Sequence, residues 1–164
     1  GISLEEGKKR AFITKLDTSL GTLKECVRLS LSTNQIDRMF PLSGMAKLEV
    51  LSLGRNNIKK IEKLDDVAAT LRELWLSYNQ ITSLDGVQGL PHLEVLYMAN
   101  NNVKDWGELD KLGGLAELRD VLFVGNPIYD DLEPQEARLH VIKRLPQLAK
   151  VDGLIVTDTE RETA

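Results

Sequence analysis

Apolar residues return along most of this chain in two alternating spacings. In Leu71-Arg72-Glu73-Leu74-Trp75-Leu76-Ser77-Tyr78-Asn79-Gln80-Ile81 the leucines at 74 and 76 lie two apart, the period of a short strand whose side chains alternate between two faces. Past Asn79 the spacing becomes about three, through Ile81, Leu84 and Val87, which suits a tight helical or 3₁₀ turn rather than a long helix. The same frame carries Cys26, Leu29, Leu31, Asn34 and Ile36, then Leu48, Leu51, Leu53, Asn56 and Ile58. It continues through Leu93, Leu96, Met98, Asn101 and Val103 to Leu118, Val121, Phe123, Asn126 and Ile128. The asparagines step by 22 (34 to 56), 23 (56 to 79), 22 (79 to 101) and 25 (101 to 126) residues. Five matches in register define a repeat.

A frame of L-x-x-L-x-L-x-x-N-x-I is the signature of a leucine-rich repeat. The expected fold is therefore α/β: a right-handed solenoid with a parallel β-sheet on its concave face and short helical or 3₁₀ turns on its convex face. Helical caps are expected at the ends, since an open coil would leave sheet edge and core to water. The asparagines Asn34, Asn56, Asn79, Asn101 and Asn126 end each strand at a tight bend, where a buried amide can satisfy otherwise orphaned backbone groups. Residues 1–23 read as an N-terminal helical and half-repeat cap, with Ser3 and Glu6 in capping-box spacing and Ile13 and Leu16 preceding Cys26 as Ile58 and Ile61 precede Leu71. Residues 24–130 hold the five repeats, and 131–156 a C-terminal helix and half-repeat cap. Pro134 near its first turn and Leu139, Ile142 and Leu145 on one stripe mark that helix as amphipathic. Residues 157–164 are polar, lack periodicity and are expected to form a flexible tail.

Strand alternation also separates the residues free for function. Trp75, between Leu74 and Leu76, points out onto the concave sheet, and Tyr97 and Leu122 hold the same slot in later coils where Ser30 and Ser52 hold it earlier. The flanking outward columns are Arg28, Val50, Glu73, Val95, Asp120 and Ser32, Gly54, Ser77, Ala99, Val124. An apolar patch of Val50, Trp75, Val95, Tyr97, Ala99, Leu122 and Val124 is thus expected to face water, rimmed by Arg55, Glu73, Tyr78 and Asp120, with Ser52 and Ser77 among it. Contiguous exposed apolar surface marks a partner site, and Trp, Tyr and Arg are the side chains most enriched at binding hot spots. Trp106 falls where Ile61 and Leu84 fall and is expected to be core.

Composition narrows the reading without redirecting it. A net charge of −4 over 164 residues argues against a general nucleic-acid-binding surface. The single cysteine, Cys26, sits at an inward position and reads as a small core residue, and one cysteine allows no internal disulfide, which fits a reducing compartment. No apolar run approaches the roughly 20 residues of a membrane span, and no signal peptide is visible. His92 and His140 lie about two coils apart without a nucleophile at useful spacing, Leu53-Gly54-Arg55-Asn56 is a repeat bend rather than a phosphate loop, and no metal-ligand cluster is present. Neither catalysis, cofactor nor metal is expected.

The literal strings go further than the periodicity. Leu51-Ser52-Leu53-Gly54-Arg55-Asn56-Asn57-Ile58-Lys59-Lys60, Leu71-Arg72-Glu73-Leu74-Trp75-Leu76-Ser77-Tyr78-Asn79, Val95-Leu96-Tyr97-Met98-Ala99-Asn100-Asn101 and Trp106-Gly107-Glu108-Leu109-Asp110-Lys111-Leu112 resemble the leucine-rich-repeat light chains of the outer-arm axonemal dynein. The likeness spans about Leu16 to Gly153. It implies a non-enzymatic subunit, monomeric on its own, of the ciliary or flagellar axoneme within the cytoplasm and cytoskeleton. It further implies a dynein heavy chain as partner, bound at its microtubule-binding stalk head through the concave face, close to tubulin, with no nucleic acid or membrane. Two other classes fit the repeat frame alone: a regulatory subunit that cradles a protein phosphatase, and a nuclear scaffold that pairs with an RNA-binding protein.

Overall fold

The structure, a computed structural model, describes residues 24–164. The expected N-terminal cap, with Ser3, Glu6, Ile13 and Leu16, lies outside the described residues. Each L-x-L segment forms a three-residue strand: β1 Arg28–Ser30, β2 Val50–Ser52, β3 Glu73–Trp75, β4 Val95–Tyr97 and β5 Asp120–Leu122. They pair in parallel in chain order, and the last coil adds β6 Lys150–Val151 in parallel and β7 Leu154–Ile155 antiparallel to it. The register aligns Leu29, Leu51, Leu74, Leu96 and Val121 on the inner side. With Leu31, Leu53, Leu76, Met98 and Phe123 these form the inner wall, 0–2% exposed, and the return segments close the other side of one continuous core. Each buried leucine contributes about 1.5–3 kcal/mol. Trp106 is the exception among the return positions: it is half-buried and packs against the core from outside. Cys26 is likewise only partly buried against it.

The bend after each strand forces the residue before the asparagine into the left-handed region, with φ of 59° at Thr33, 56° at Arg55, 61° at Tyr78 and 56° at Asn100. For a non-glycine residue that costs about 1 kcal/mol or more. The N–H of each still donates to a carbonyl of the following coil: Thr33 to Gly54, Arg55 to Ser77, Tyr78 to Ala99 and Asn100 to Val124, each at 2.9 Å. In the fifth coil Gly125 holds this place with φ 83°, and a Cβ there would collide with the Asn100 side-chain amide. Gly125 thus leaves room for the Asn100 side chain.

The asparagines make the ladder that the sequence implies. Asn79 Oδ1 accepts from Ile58 N at 3.0 Å, while its Nδ2 donates to Leu53 O of the preceding coil and Leu76 O of its own, both at 3.0 Å. Asn56, Asn101 and Asn126 repeat the arrangement one coil earlier and one and two coils later. Asn34 donates to Leu31 O at 2.8 Å.

At the C-terminal end α1 spans Pro134–Arg144, opened by a capping box between Glu133 and Glu136. Its inward stripe is Ala137, Val141 and Ile142, followed by Leu145, whereas Leu139 of the expected stripe is only half-buried. Helix rotation is set by Arg138, which is buried and donates to the Val151, Leu154 and Ile155 carbonyls. Within the segment expected to be a flexible tail, Asp158–Thr163 form the helix α2. Thr157 and Glu160 close a capping box, and Glu160 pairs with Arg138 at 2.5 Å, so a cap and an ion pair supply what apolar periodicity does not.

Candidate functional site

The outward side chains of β2 to β5 line the concave face in cross-strand columns. One column runs Val50, Glu73, Val95, Asp120 and the next Ser52, Trp75, Tyr97, Leu122, in the register of the sheet. With strands about 4.8 Å apart, side chains of one column touch. The Trp75 and Tyr97 rings lie 5.7 Å apart at 33°. A carboxylate of the other column ties down each polar tip: Trp75 Nε1 donates to Glu73 Oε1 at 3.3 Å and the Tyr97 hydroxyl to Asp120 Oδ2 at 2.9 Å. Burial first, and then the Asp120 carboxylate, pushes the Tyr97 phenol up to about 12, so it stays a donor throughout the physiological range. Two large aromatic side chains are thereby held in place before any partner arrives.

The face is less open than alternation alone suggests. Val50, Val95 and Ala99, expected to face water, are 8%, 4% and 5% exposed, and Ser52 and Asp120 are also buried. A concave sheet brings the outward side chains of adjacent strands together, so small residues are covered by larger neighbours of the same face. Trp75, Tyr97, Leu122, Glu73 and Ser77 remain half-buried, and Val124 is 50% exposed. Arg55 and Tyr78 stand on the opposite rim from Glu73, with the Arg55 guanidinium 4.2 Å above the Tyr78 ring. The accessible site is therefore an aromatic centre with Leu122 and Val124 beside it, a cation–π pair on one rim and, on the other, the carboxylates of half-buried Glu73 and buried Asp120.

Those carboxylates differ from their neighbours one position back along the chain. At the sheet edge Arg72 pairs with Glu49 (3.4 Å) and Glu94 (2.9 Å), Arg119 with Glu94 (3.5 Å), and His92 lies 3.2 Å from Glu117. Among the described residues Glu73 and Asp120 have no ion pair, and Asp120 Oδ1 is buried with no hydrogen-bond partner.

The sequence reading missed the C-terminal hairpin. Asp152 and Gly153, with φ 49° and 82°, turn β6 into β7 and leave Leu154 and Ile155 65% and 75% exposed. An Asp-Gly pair between Val151 and Leu154 is the signal that reveals it. His140, by contrast, stacks on Trp106 at 5.1 Å, and Trp106 on Tyr129 at 5.8 Å, an outer buttress of the fold.

Five stacked coils with an inward asparagine ladder define a leucine-rich-repeat protein, and a family model described as leucine-rich repeats in two copies matches residues 69–111. The chain is 59% identical over 156 residues to dynein axonemal light chain 1 of Chlamydomonas reinhardtii, covering 93% of this chain and 79% of that one. It is 55% identical to the Danio rerio protein of the same name, covering 92% and 79%, and 51% identical to that of Homo sapiens, covering 92% and 80%. The chain belongs to the dynein axonemal light chain 1 family. Among solved structures, the crystal structure of the Drosophila melanogaster SNF/U2A' complex aligns with a TM-score of 0.71 at 22% identity, covering 83% of this chain and 78% of that one. The Leptospira interrogans LRR protein LIC12759 aligns at 0.67 and 23%, covering 85% and 34%. At these identities the likeness is one of fold.

Proposed function

We propose that this chain is a non-enzymatic subunit of an outer-arm axonemal dynein in a cilium or flagellum, and that its concave face binds a dynein heavy chain at the microtubule-binding stalk head. The observation that carries the reading is the preorganised pair of Trp75 and Tyr97, with ring centroids 5.7 Å apart at a tilt of 33° and both polar tips held on the accessible sheet face. Rigid, partly exposed aromatic side chains bind at low entropic cost, which is what makes them hot spots. The family name supplies the assembly: relatives at 51–59% identity are axonemal dynein light chains. Mechanistically, a rigid curved body seated beside the motor's track-binding site changes how that site meets the microtubule, by steric contact and by its field.

The test is a pull-down from ciliated or flagellated cells with wild type beside a Trp75→Ala, Tyr97→Ala variant, the bound proteins identified by mass. Recovery of an outer-arm heavy chain by wild type alone supports both partner and face. Recovery by both proteins moves the site off the concave sheet. Recovery of a phosphatase or an RNA-binding protein without dynein selects one of the other two classes.

A further inference from the structure

The concave face carries two carboxylates, Glu73 and Asp120, that form no ion pair among the described residues. Glu73 and Asp120 flank Val95 in one column, about 10 Å apart across two strand spacings. Each engages an aromatic tip, yet no Lys or Arg among the described residues pairs with either, while Arg72 and Arg119 from the same strand entries go to Glu49 and Glu94. Lys150 sits in register with Asp120 on β6, is exposed and forms no ion pair among the described residues. Asp120 is 8% exposed and one of its oxygens has no donor among the described residues. A buried carboxylate short of a donor is costly, and the cost falls when a cation is brought to it.

The geometry points to a specific chemistry for the partner: the segment that docks on this face presents a cationic side chain, flanked by apolar ones, to the sheet surface beside Glu73 and Asp120. This rests on the concave-face reading above and adds what the partner must carry. The apolar flanks cover Leu122 and Val124, and the cation lies against the Trp75 and Tyr97 rings, whose faces attract positive charge as the carboxylates do. Desolvation on docking strengthens both attractions. The sign of the site also excludes partners: a segment with an acidic residue at this place meets the Glu73 and Asp120 carboxylates and is rejected.

The experiment measures the affinity of the recombinant heavy-chain stalk head for four forms of this chain at several salt concentrations. The forms are wild type, Glu73→Gln with Asp120→Asn, Lys150→Glu, and Trp75→Ala with Tyr97→Ala. The amide pair keeps acceptors for Trp75 and Tyr97 and removes only charge; it is expected to weaken binding about tenfold and flatten its salt dependence. Lys150→Glu, at an exposed position without an ion pair, adds negative field and is expected to tighten binding by about threefold. If the aromatic variant loses binding while the amide pair and Lys150→Glu leave affinity and salt slope unchanged, the concave face stands and the cationic partner is overturned. If the aromatic variant binds as wild type does, the concave-face reading itself fails. Lys150→Glu reports on the same charge should the amide pair prove unstable, and tighter binding supports the cation whereas unchanged or weaker binding contradicts it.

Discussion

The inside of the coil and its concave face use polar side chains in opposite ways. Inside, each of Asn56, Asn79, Asn101 and Asn126 satisfies one backbone N–H and two or more carbonyls from two neighbouring coils, and nothing is left over for a ligand. On the face, Glu73 and Asp120 hold aromatic tips with one oxygen each and form no ion pair among the described residues, and Trp75 stays half exposed. Polar groups that complete a fold are saturated by it, and polar groups placed for a partner are not. The contrast separates residues whose loss unfolds the chain from residues whose loss leaves a folded chain that no longer binds.

The largest expected effect breaks the inside. Asn79→Ala strands Ile58 N and the Leu53 and Leu76 carbonyls in a site 8% exposed, and should lower stability by about 3 kcal/mol in a denaturant titration. Trp75→Ala does the converse. It should leave stability within about 1 kcal/mol of wild type, yet weaken stalk-head binding by about 2 kcal/mol or more, roughly 30-fold. If both variants lose stability equally, the division between scaffold and face is wrong. Gly125→Ala sharpens the scaffold side, since it combines φ 83° with a collision against the Asn100 amide; a loss of about 2 kcal/mol is expected, with a fall in melting temperature.

The smallest effect concerns the C-terminal end. The Arg138 guanidinium holds the Glu160 carboxyl at about 2, below its ordinary 4.5. A depressed carboxylate contributes stability that is complete above the ordinary value and is lost as pH falls toward the depressed one. Helix α2 should therefore stay docked above pH 4.5 and release between about 4.5 and 2 while the repeats persist. The Arg138 side-chain NH resonance followed through an acid titration is the readout, and Glu160→Gln should show the released signal already at neutral pH.

The scaffold was legible in the sequence because each of its signals is local. A two-residue alternation places Leu74 and Leu76 inward and Trp75 outward whatever lies around them, and the recurring asparagine marks each bend. The columns of the face follow from the same alternation, and the register confirms which residues are neighbours. Its exposure does not follow: Val50, Val95 and Ala99 are covered through curvature, a property of several coils at once. That Glu73 and Asp120 form no ion pair among the described residues was equally hidden, since it depends on where Arg72 and Arg119 reach across coils. At the C-terminal end the Thr157 to Glu160 capping spacing was present, but apolar periodicity was absent, and the helix is held by a buried arginine 22 residues upstream.

The most direct test of the concave face uses the fact that the chain has two tryptophans, one on the face and one in the outer buttress. With both replaced by 5-fluorotryptophan and assigned through Trp106→Phe, the two fluorine resonances are followed as unlabelled stalk head is added. Docking on the concave sheet shifts or broadens the Trp75 signal and leaves Trp106 in place. A Trp75 signal that stays unmoved while the stalk head binds contradicts the site.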